Sequence, residues 1–203
     1  MLESLLTLET LIAFALAVVG GIIRGYTGFG TPIFLAPIYA VLFGPRATVP
    51  LMIMLEVGVV VQMLPQAVKR VDWPEMRGLL LGCLPFLPVG GSLLGVLDAE
   101  LVKKIIGFVT AGFVAALWWG WRYRGPRHLP VRMAIGAVSG LSNGLTGIGG
   151  PPVILYYVSG DKEIAGIRAN LIVYFAFITA VAVPFFVYAG LVTGETIVRW
   201  LVL

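Results

Sequence analysis

Charge is scarce in this chain. Only 12% of its residues are Asp, Glu, Lys or Arg, about half the roughly 25% usual in soluble domains. It has one cysteine, Cys83, and one histidine, His128. A lone cysteine excludes an internal disulfide and any Cys-rich metal site. The stretch Gly140-Leu141-Ser142-Asn143-Gly144 matches G-x-S-x-G. A nucleophile elbow also needs a strand before its helix and a histidine base, and His128 lies in a basic loop, so a hydrolase is not expected. The glycines at 25–30 lack a following G-K-[ST] and a βαβ setting, which excludes a phosphate loop. No enzyme activity, cofactor or metal is expected. The net charge of +4 is spread through loops between apolar runs. That is the pattern of a topology signal, not of nucleic-acid binding.

What the chain has in abundance is apolar sequence: 59% hydrophobic residues and a mean hydropathy of +0.99. A chain of this composition would precipitate as a soluble globule. We read it as an all-α, polytopic integral membrane protein whose first partner is the lipid bilayer. Met1-Leu2-Glu3-Ser4 lacks the basic start of a signal peptide, so the first apolar run is expected to remain as a span. Apolar segments fall at 5–23, 31–43, 48–68, 78–97, 105–121, 133–148, 151–159, 169–190 and 195–203. Those at 31–43 and 151–159 are too short for a crossing of about 20 residues and read as half-helices. Trp118, Trp119, Trp121 and Tyr123 end a span as an interfacial aromatic belt.

Two short stretches organise the rest. Thr27-Gly28-Phe29-Gly30-Thr31-Pro32 and Thr146-Gly147-Ile148-Gly149-Gly150-Pro151 share the pattern T-G-(apolar)-G-x-P at a separation of 119 residues. Glycine tolerates φ > 0, and proline suits the first turn of a helix, so each stretch should end one helix and start another. The same separation pairs Gly21 with Gly140, Arg24 with Asn143 and Gly25 with Gly144. Farther on, Arg46-Ala47-Thr48 pairs with Arg168-Ala169-Asn170, and Arg77 with Arg199, at 122 residues. A three-residue loop insertion accounts for the drift. The chain thus divides into a first transmembrane repeat, 1–124, and a second, 125–203, within one membrane domain. Two spans of the first half, 78–97 and 105–121, have no full counterpart in the second, which is expected to be incomplete.

Lys and Arg set the expected orientation. If each short piece crosses, loops 69–77, 122–132 and 160–168 share the cytoplasmic face. They carry Lys69, Arg70, Arg77, Arg122, Arg124, Arg127, Arg132, Lys162 and Arg168, against Arg46, Lys103 and Lys104 opposite. The second repeat is then inverted, with the N-terminus outside. If the short pieces re-enter, the halves are parallel and the two most basic loops still lie inside. We favour inversion.

The paired T-G-F-G-T-P and T-G-I-G-G-P, each followed by R-A-[TN], resemble the signature of the TauE/SafE family of sulfite and organosulfonate exporters over essentially the whole chain. The resemblance implies an inverted-repeat carrier that moves small anions, often sulfur-containing, as a multi-pass protein of a bacterial or archaeal inner (plasma) membrane.

An anion leaving water needs replacement donors, because an unpaired buried charge is very costly. Helix N-termini supply free N–H groups and about half a positive charge. The expected binding residues are therefore Thr27, Gly28, Gly30, Thr31, Pro32, Ser142, Asn143, Thr146, Gly147, Gly149, Gly150 and Pro151. Valine at Gly30 or Gly149 should fill this cradle and leave the fold largely intact. Arg46 and Arg168, at mirrored places, either gate the path or snorkel to headgroups. Arg24 needs either a partner or a polar cavity, and Glu56, mid-span, is costly in lipid unless paired, protonated or facing water. Glu56 either carries a coupling proton or pairs with Arg24. The alternative reading is a non-transporting or truncated protein whose glycines pack helices or join subunits in a homo-oligomer. Gly136, Gly140 and Gly144, and Gly91 with Gly95, form such small-residue faces. A cation carrier is a weaker third reading, since paired helix N-termini disfavour cations.

Overall fold

The structure, a computed structural model, describes residues 8–160 and 163–203. Among them are nine helices and no strand: α1 (Leu8–Thr27), α2 (Thr31–Leu42), α3 (Pro45–Ala67), α4 (Trp73–Val96), α5 (Ala99–Trp118), α6 (Leu129–Thr146), α7 (Gly150–Val158), α8 (Ile164–Tyr188) and α9 (Gly194–Val202). Four of them, α1, α4, α5 and α8, are long and apolar enough to cross a membrane, and α3 is a fifth if its 51° bend near Gly58 lies within one span. At about 1.5 Å per residue, α2 and α7 reach only about 18 and 14 Å, well short of a hydrocarbon core of about 30 Å.

Two helices begin earlier than hydropathy indicates because aspartates cap them. Asp72 accepts from the Glu75 N–H at 3.2 Å and starts α4 five residues before the expected 78. Asp98 accepts from Glu100 and Leu101 at 2.9 and 3.2 Å. This draws Glu100, Lys103 and Lys104, expected in a loop, into the first turns of α5. Each carboxylate satisfies N–H groups that a helix start leaves unpaired. Helix α1 runs to Thr27, past the expected end at 23, so Arg24 is helical. The two breaks fall at 28–30 and 147–149.

The basic loops meet at one end of the bundle. The Tyr123 N–H donates to Ser159 Oγ at 2.6 Å, Arg132 to the Pro74 carbonyl at 2.8 Å, and the Asp72 N–H to Asn170 Oδ1 at 2.8 Å. Arg46 instead donates to the Gly95 carbonyl at 3.0 Å, at the far end of α4. The 24 residues of α4 separate the two ends by about 36 Å. Lys162 and the first residues of the chain lie outside the described residues, so their sides are not assigned.

Glycine sets the closest packing. A Cβ on Gly136 would lie 2.0 Å from the Leu79 carbonyl oxygen, and one on Gly140 or Gly144 would lie 2.2 Å from that of Cys83 or Leu87. The partner positions climb together, so α4 and α6 run parallel with their backbones nearly touching. Gly95, expected in a similar face, meets open space, as do Gly21 and Gly25 of α1. Helices α3 and α8 pack in the opposite sense: Gln62–Arg70 lie beside Ile164–Ile172, whereas Ile53 and Glu56 lie beside Phe175–Thr179. The outer faces are apolar, with Phe108, Trp118 and Trp119 at least 80% exposed, as a lipid-facing surface requires.

Candidate anion site at the two helix breaks

Both breaks open on one internal cavity. Gly30, Pro32 and Ile33 line it from the first, Asn143 and Gly147–Gly150 from the second, with Ile154 from α7. Helix α3 contributes Ile53 and Glu56, and α8 contributes Phe175, Ile178 and Thr179. Much of this wall is built from paired positions. Gly30 and Gly149 stand 119 residues apart, while Ile53 and Phe175, and Glu56 and Ile178, stand 122 apart. The cavity measures about 20 Å³, room for about one water. The site is closed.

Local geometry explains the breaks. Gly28, Gly30 and Gly147 have φ of 83°, 109° and 73°, a region that residues with a Cβ rarely adopt. By helix geometry, α2 leaves the N–H groups of Gly30, Thr31 and Ile33 outside its ladder, Pro32 having none. In α7, Pro151 and Pro152 both fall in the first turn, so only Gly149 and Gly150 offer N–H groups.

The hydroxyls expected to donate to an anion are engaged elsewhere. Thr27 donates to the Ile23 and Phe29 carbonyls at 2.8 and 2.5 Å. Thr31 donates to Gly20 at 3.2 Å, Ser142 to Ile148 at 2.6 Å and Thr146 to Ser142 at 2.7 Å. The Phe29 and Ile148 carbonyls lie within the breaks, so Thr27 and Ser142 brace the breaks from behind, while Thr31 and Thr146 bond back to carbonyls of α1 and α6. With Gly28 and Pro151, these hydroxyls stand outside the cavity wall.

Sequence reasoning did not find the clamp on the second break. Ser139 donates to the Gly149 carbonyl, and Tyr174 donates to Ser139 at 2.8 Å. Phe175 was also missed, because α8 is apolar around its whole circumference and shows no preferred face. The pairing at 122 residues was the available signal, since it matches Phe175 with Ile53.

Beside the cavity is a buried ion pair. Arg24 Nη1 donates to Glu56 Oε1 at 2.6 Å, and Nη2 lies 2.5 Å from Oε2. Arg24 is 2% exposed and Glu56 7%. The guanidinium carbon lies 5.6 Å from the centre of the Phe175 ring, within cation–π range. Arg24 Nε has no hydrogen-bond partner. At the paired position, Asn143 lines the cavity together with apolar Ile178, and its Oδ1 is likewise without a hydrogen-bond partner. Only one half of the site is charged.

Arg46 and Arg168 lie at opposite ends, with different partners. Arg46 caps the end of α4 at Gly95, whereas Arg168 donates to the Gly25 carbonyl at 2.8 Å. Its side chain crosses Gly28, where a Cβ would lie 2.6 Å from Arg168 Cγ.

The glycine positions correct one expectation. At Gly149 a Cβ would lie 2.6 Å from Asn143 Cβ and 3.0 Å from the Ser139 carbonyl oxygen. Valine there would displace α6 before it reached the cavity. Gly30 has space for a Cβ, its nearest neighbour being Ile23 Cγ2 at 3.5 Å; the φ of 109° is the obstacle. Gly30→Ala is expected to cost about 1–3 kcal/mol through backbone strain, and Gly149→Ala more through collision. Unfolding in detergent checks both, and a Gly149→Ala protein as stable as wild type would refute the close packing.

The model of the sulfite exporter TauE/SafE family matches residues 13–203. A curated relative, the probable sulfite/organosulfonate exporter TauE of Cupriavidus necator, is 28% identical over 138 residues, covering 63% of this chain and 51% of the relative. The chain thus spans about half the length of the curated relative it matches. No solved structure matches it. With nearly its whole length covered by that model, the chain belongs to the sulfite exporter TauE/SafE family of multi-pass inner-membrane proteins.

Proposed function

We propose that the chain is a secondary transporter that moves a small anion across the inner membrane by alternating access. The anion is sulfite, an organosulfonate or a related sulfur-containing or carboxylate anion. One observation carries the reading: two helix breaks at corresponding positions line a single buried cavity beside an arginine. Broken helices at a repeat interface are how such carriers build a site. The antiparallel packing of α3 on α8, whose R-A-[TN] starts correspond, supports an inverted relation between 1–124 and 125–203.

The chemistry runs through Arg24. Its planar fork suits a two-oxygen anion, and Glu56 now fills it. A substrate oxyanion arriving with a proton for Glu56 would exchange one carboxylate for another oxyanion and keep the buried charge balanced. N–H groups at Gly30, Ile33, Gly149 and Gly150 would complete its coordination. Glu56 in this reading is the coupling group, and the cavity must widen before it accepts the anion.

The test is flux in proteoliposomes over labelled sulfite, sulfoacetate, thiosulfate and small carboxylates. Wild type should carry one of these classes, faster with a proton gradient. Glu56→Gln leaves Arg24 without a counter-charge, so the anion should bind about ten- to a hundredfold more tightly, the worth of one charge-assisted hydrogen bond. The gradient should no longer accelerate it. No flux of any anion would leave the second reading, a protein that packs or joins helices, which the glycine-lined α4–α6 contact favours.

A further inference from the structure

A second cavity lies outside the breaks. Where the end of α3 meets the start of α8, a groove of about 880 Å³ opens at the end of the bundle that holds the basic loops. Lys69, Arg70 and Arg168 line it with Gln62 and Gln66, and among the described residues no carboxylate lines it. Three cations around a concave surface repel one another unless an anion is present, and such a cleft concentrates anions. Arg168 connects the groove to the inner site. Of its five N–H donors, one is used on the Gly25 carbonyl, and its stem lies across Gly28 of the first break.

The groove ends one helical turn from the closed cavity. Ile172 lines the groove, and Phe175, three residues on, lines the cavity. The Phe175 ring also stands 3.3 Å from where a Cβ of Gly150 would be, while its face receives Arg24. One aromatic side chain in the wall of the inner cavity, a helical turn beyond the groove, thus stands beside both the second break and the ion pair.

We propose that this groove is a second anion-binding station, an antechamber in which Lys69, Arg70 and Arg168 hold a small hydrated oxyanion before Phe175 admits it to the inner cavity. Its volume, some forty times that of the inner cavity by the same measure, suits an anion that keeps its water. The proposal rests on the transport reading for its role and on the groove alone for binding.

The probe is labelled sulfite, with the full chain in phosphatidylcholine vesicles. Lys69→Gln/Arg70→Gln, both exposed, should raise the KM for movement from the groove side about tenfold at low salt, with kcat retained and the ionic-strength dependence flattened. Arg77→Gln, exposed at the same end but outside the groove, should change KM little. Equilibrium binding separates the two sites. Thr179→Met pushes a flexible side chain into the inner cavity and should abolish flux while sulfite still binds, and adding Lys69→Gln/Arg70→Gln should then remove binding. Loss of all sulfite binding in Thr179→Met, or equal effects of Lys69→Gln/Arg70→Gln and Arg77→Gln, would overturn the antechamber while leaving the transport reading intact. An effect seen only when phosphatidylglycerol is added would assign the groove to a lipid headgroup and overturn it as well. Binding in the groove without flux in wild type would sink the transport reading and leave the station standing.

Discussion

Glu56→Ala is expected to destabilise the protein by about 3–5 kcal/mol, one of the two largest effects foreseen. The carboxylate is 7% exposed and holds both terminal nitrogens of Arg24, which is 2% exposed. Removing it leaves a guanidinium charge buried with a neighbouring ring and little else. Breaking a buried ion pair costs about 3–5 kcal/mol because the remaining charge has lost its compensation, not because the pair itself was worth that much. The same argument sets the outcome of the double variant. Arg24→Leu/Glu56→Leu removes both charges and should recover most of the lost stability, since a well-packed apolar pair is often no worse than the ions it replaces. Flux, in contrast, should vanish in the double variant, because no cation remains to receive an anion. The measurement is a double-mutant cycle by unfolding in detergent, run beside the flux assay. If Glu56→Ala costs under about 1 kcal/mol, the pair is as well hydrated as a surface salt bridge, and the inner cavity is wetter than its 20 Å³ indicates.

The second large effect is expected at the α4–α6 contact. Gly136→Ala or Gly140→Ala would place a methyl group 2.0–2.2 Å from a carbonyl oxygen of α4. Backbone cannot turn aside as a flexible side chain can, so the helices must separate along their whole contact. Overpacking ordinarily costs about 1–3 kcal/mol, and these variants should lie at or above the top of that range. They should show loss of monodisperse protein on size exclusion. Gly21→Ala and Gly25→Ala are the controls. They hold the positions of α1 paired with Gly140 and Gly144, where a Cβ meets nothing within 4 Å, and they should be nearly silent or slightly stabilising, since alanine is the better helix former. Equal damage at Gly21 and Gly140 would mean that α1 also has a close helix partner.

The sequence and the structure part company at these glycines. Gly21 and Gly25 read the same as Gly140 and Gly144, at corresponding places in the two repeats and before the same motif. One pair is pressed against α4 and the other faces open space. A small residue permits close approach without requiring it, and which helix arrives is a matter of topology. Gly149 carries the same lesson in reverse: its motif marks a backbone turn, yet its φ of −95° is ordinary, and it must be glycine because Asn143 and Ser139 lie against it.

Composition alone determined that this is an apolar, all-helical membrane chain, because so few charges leave water no other role than loop solvent. The paired T-G-x-G-x-P determined where two helices break, because glycine conformation and the missing proline N–H act within a few residues of the chain. Hydropathy misplaced the starts of α4 and α5, since Asp72 and Asp98 act as caps, which a window average counts only as polarity. Only the tertiary structure decided that both breaks line one cavity, that Arg24 spends its charge on Glu56, and that the threonine and serine hydroxyls turn to backbone carbonyls of α1, α6 and the breaks. It alone placed Phe175 in the wall of that cavity, one helical turn from a basic groove. Those outcomes depend on which faces of α3, α6 and α8 meet. Helices apolar on every side, as α3 and α8 nearly are, carry no periodic signal to say so.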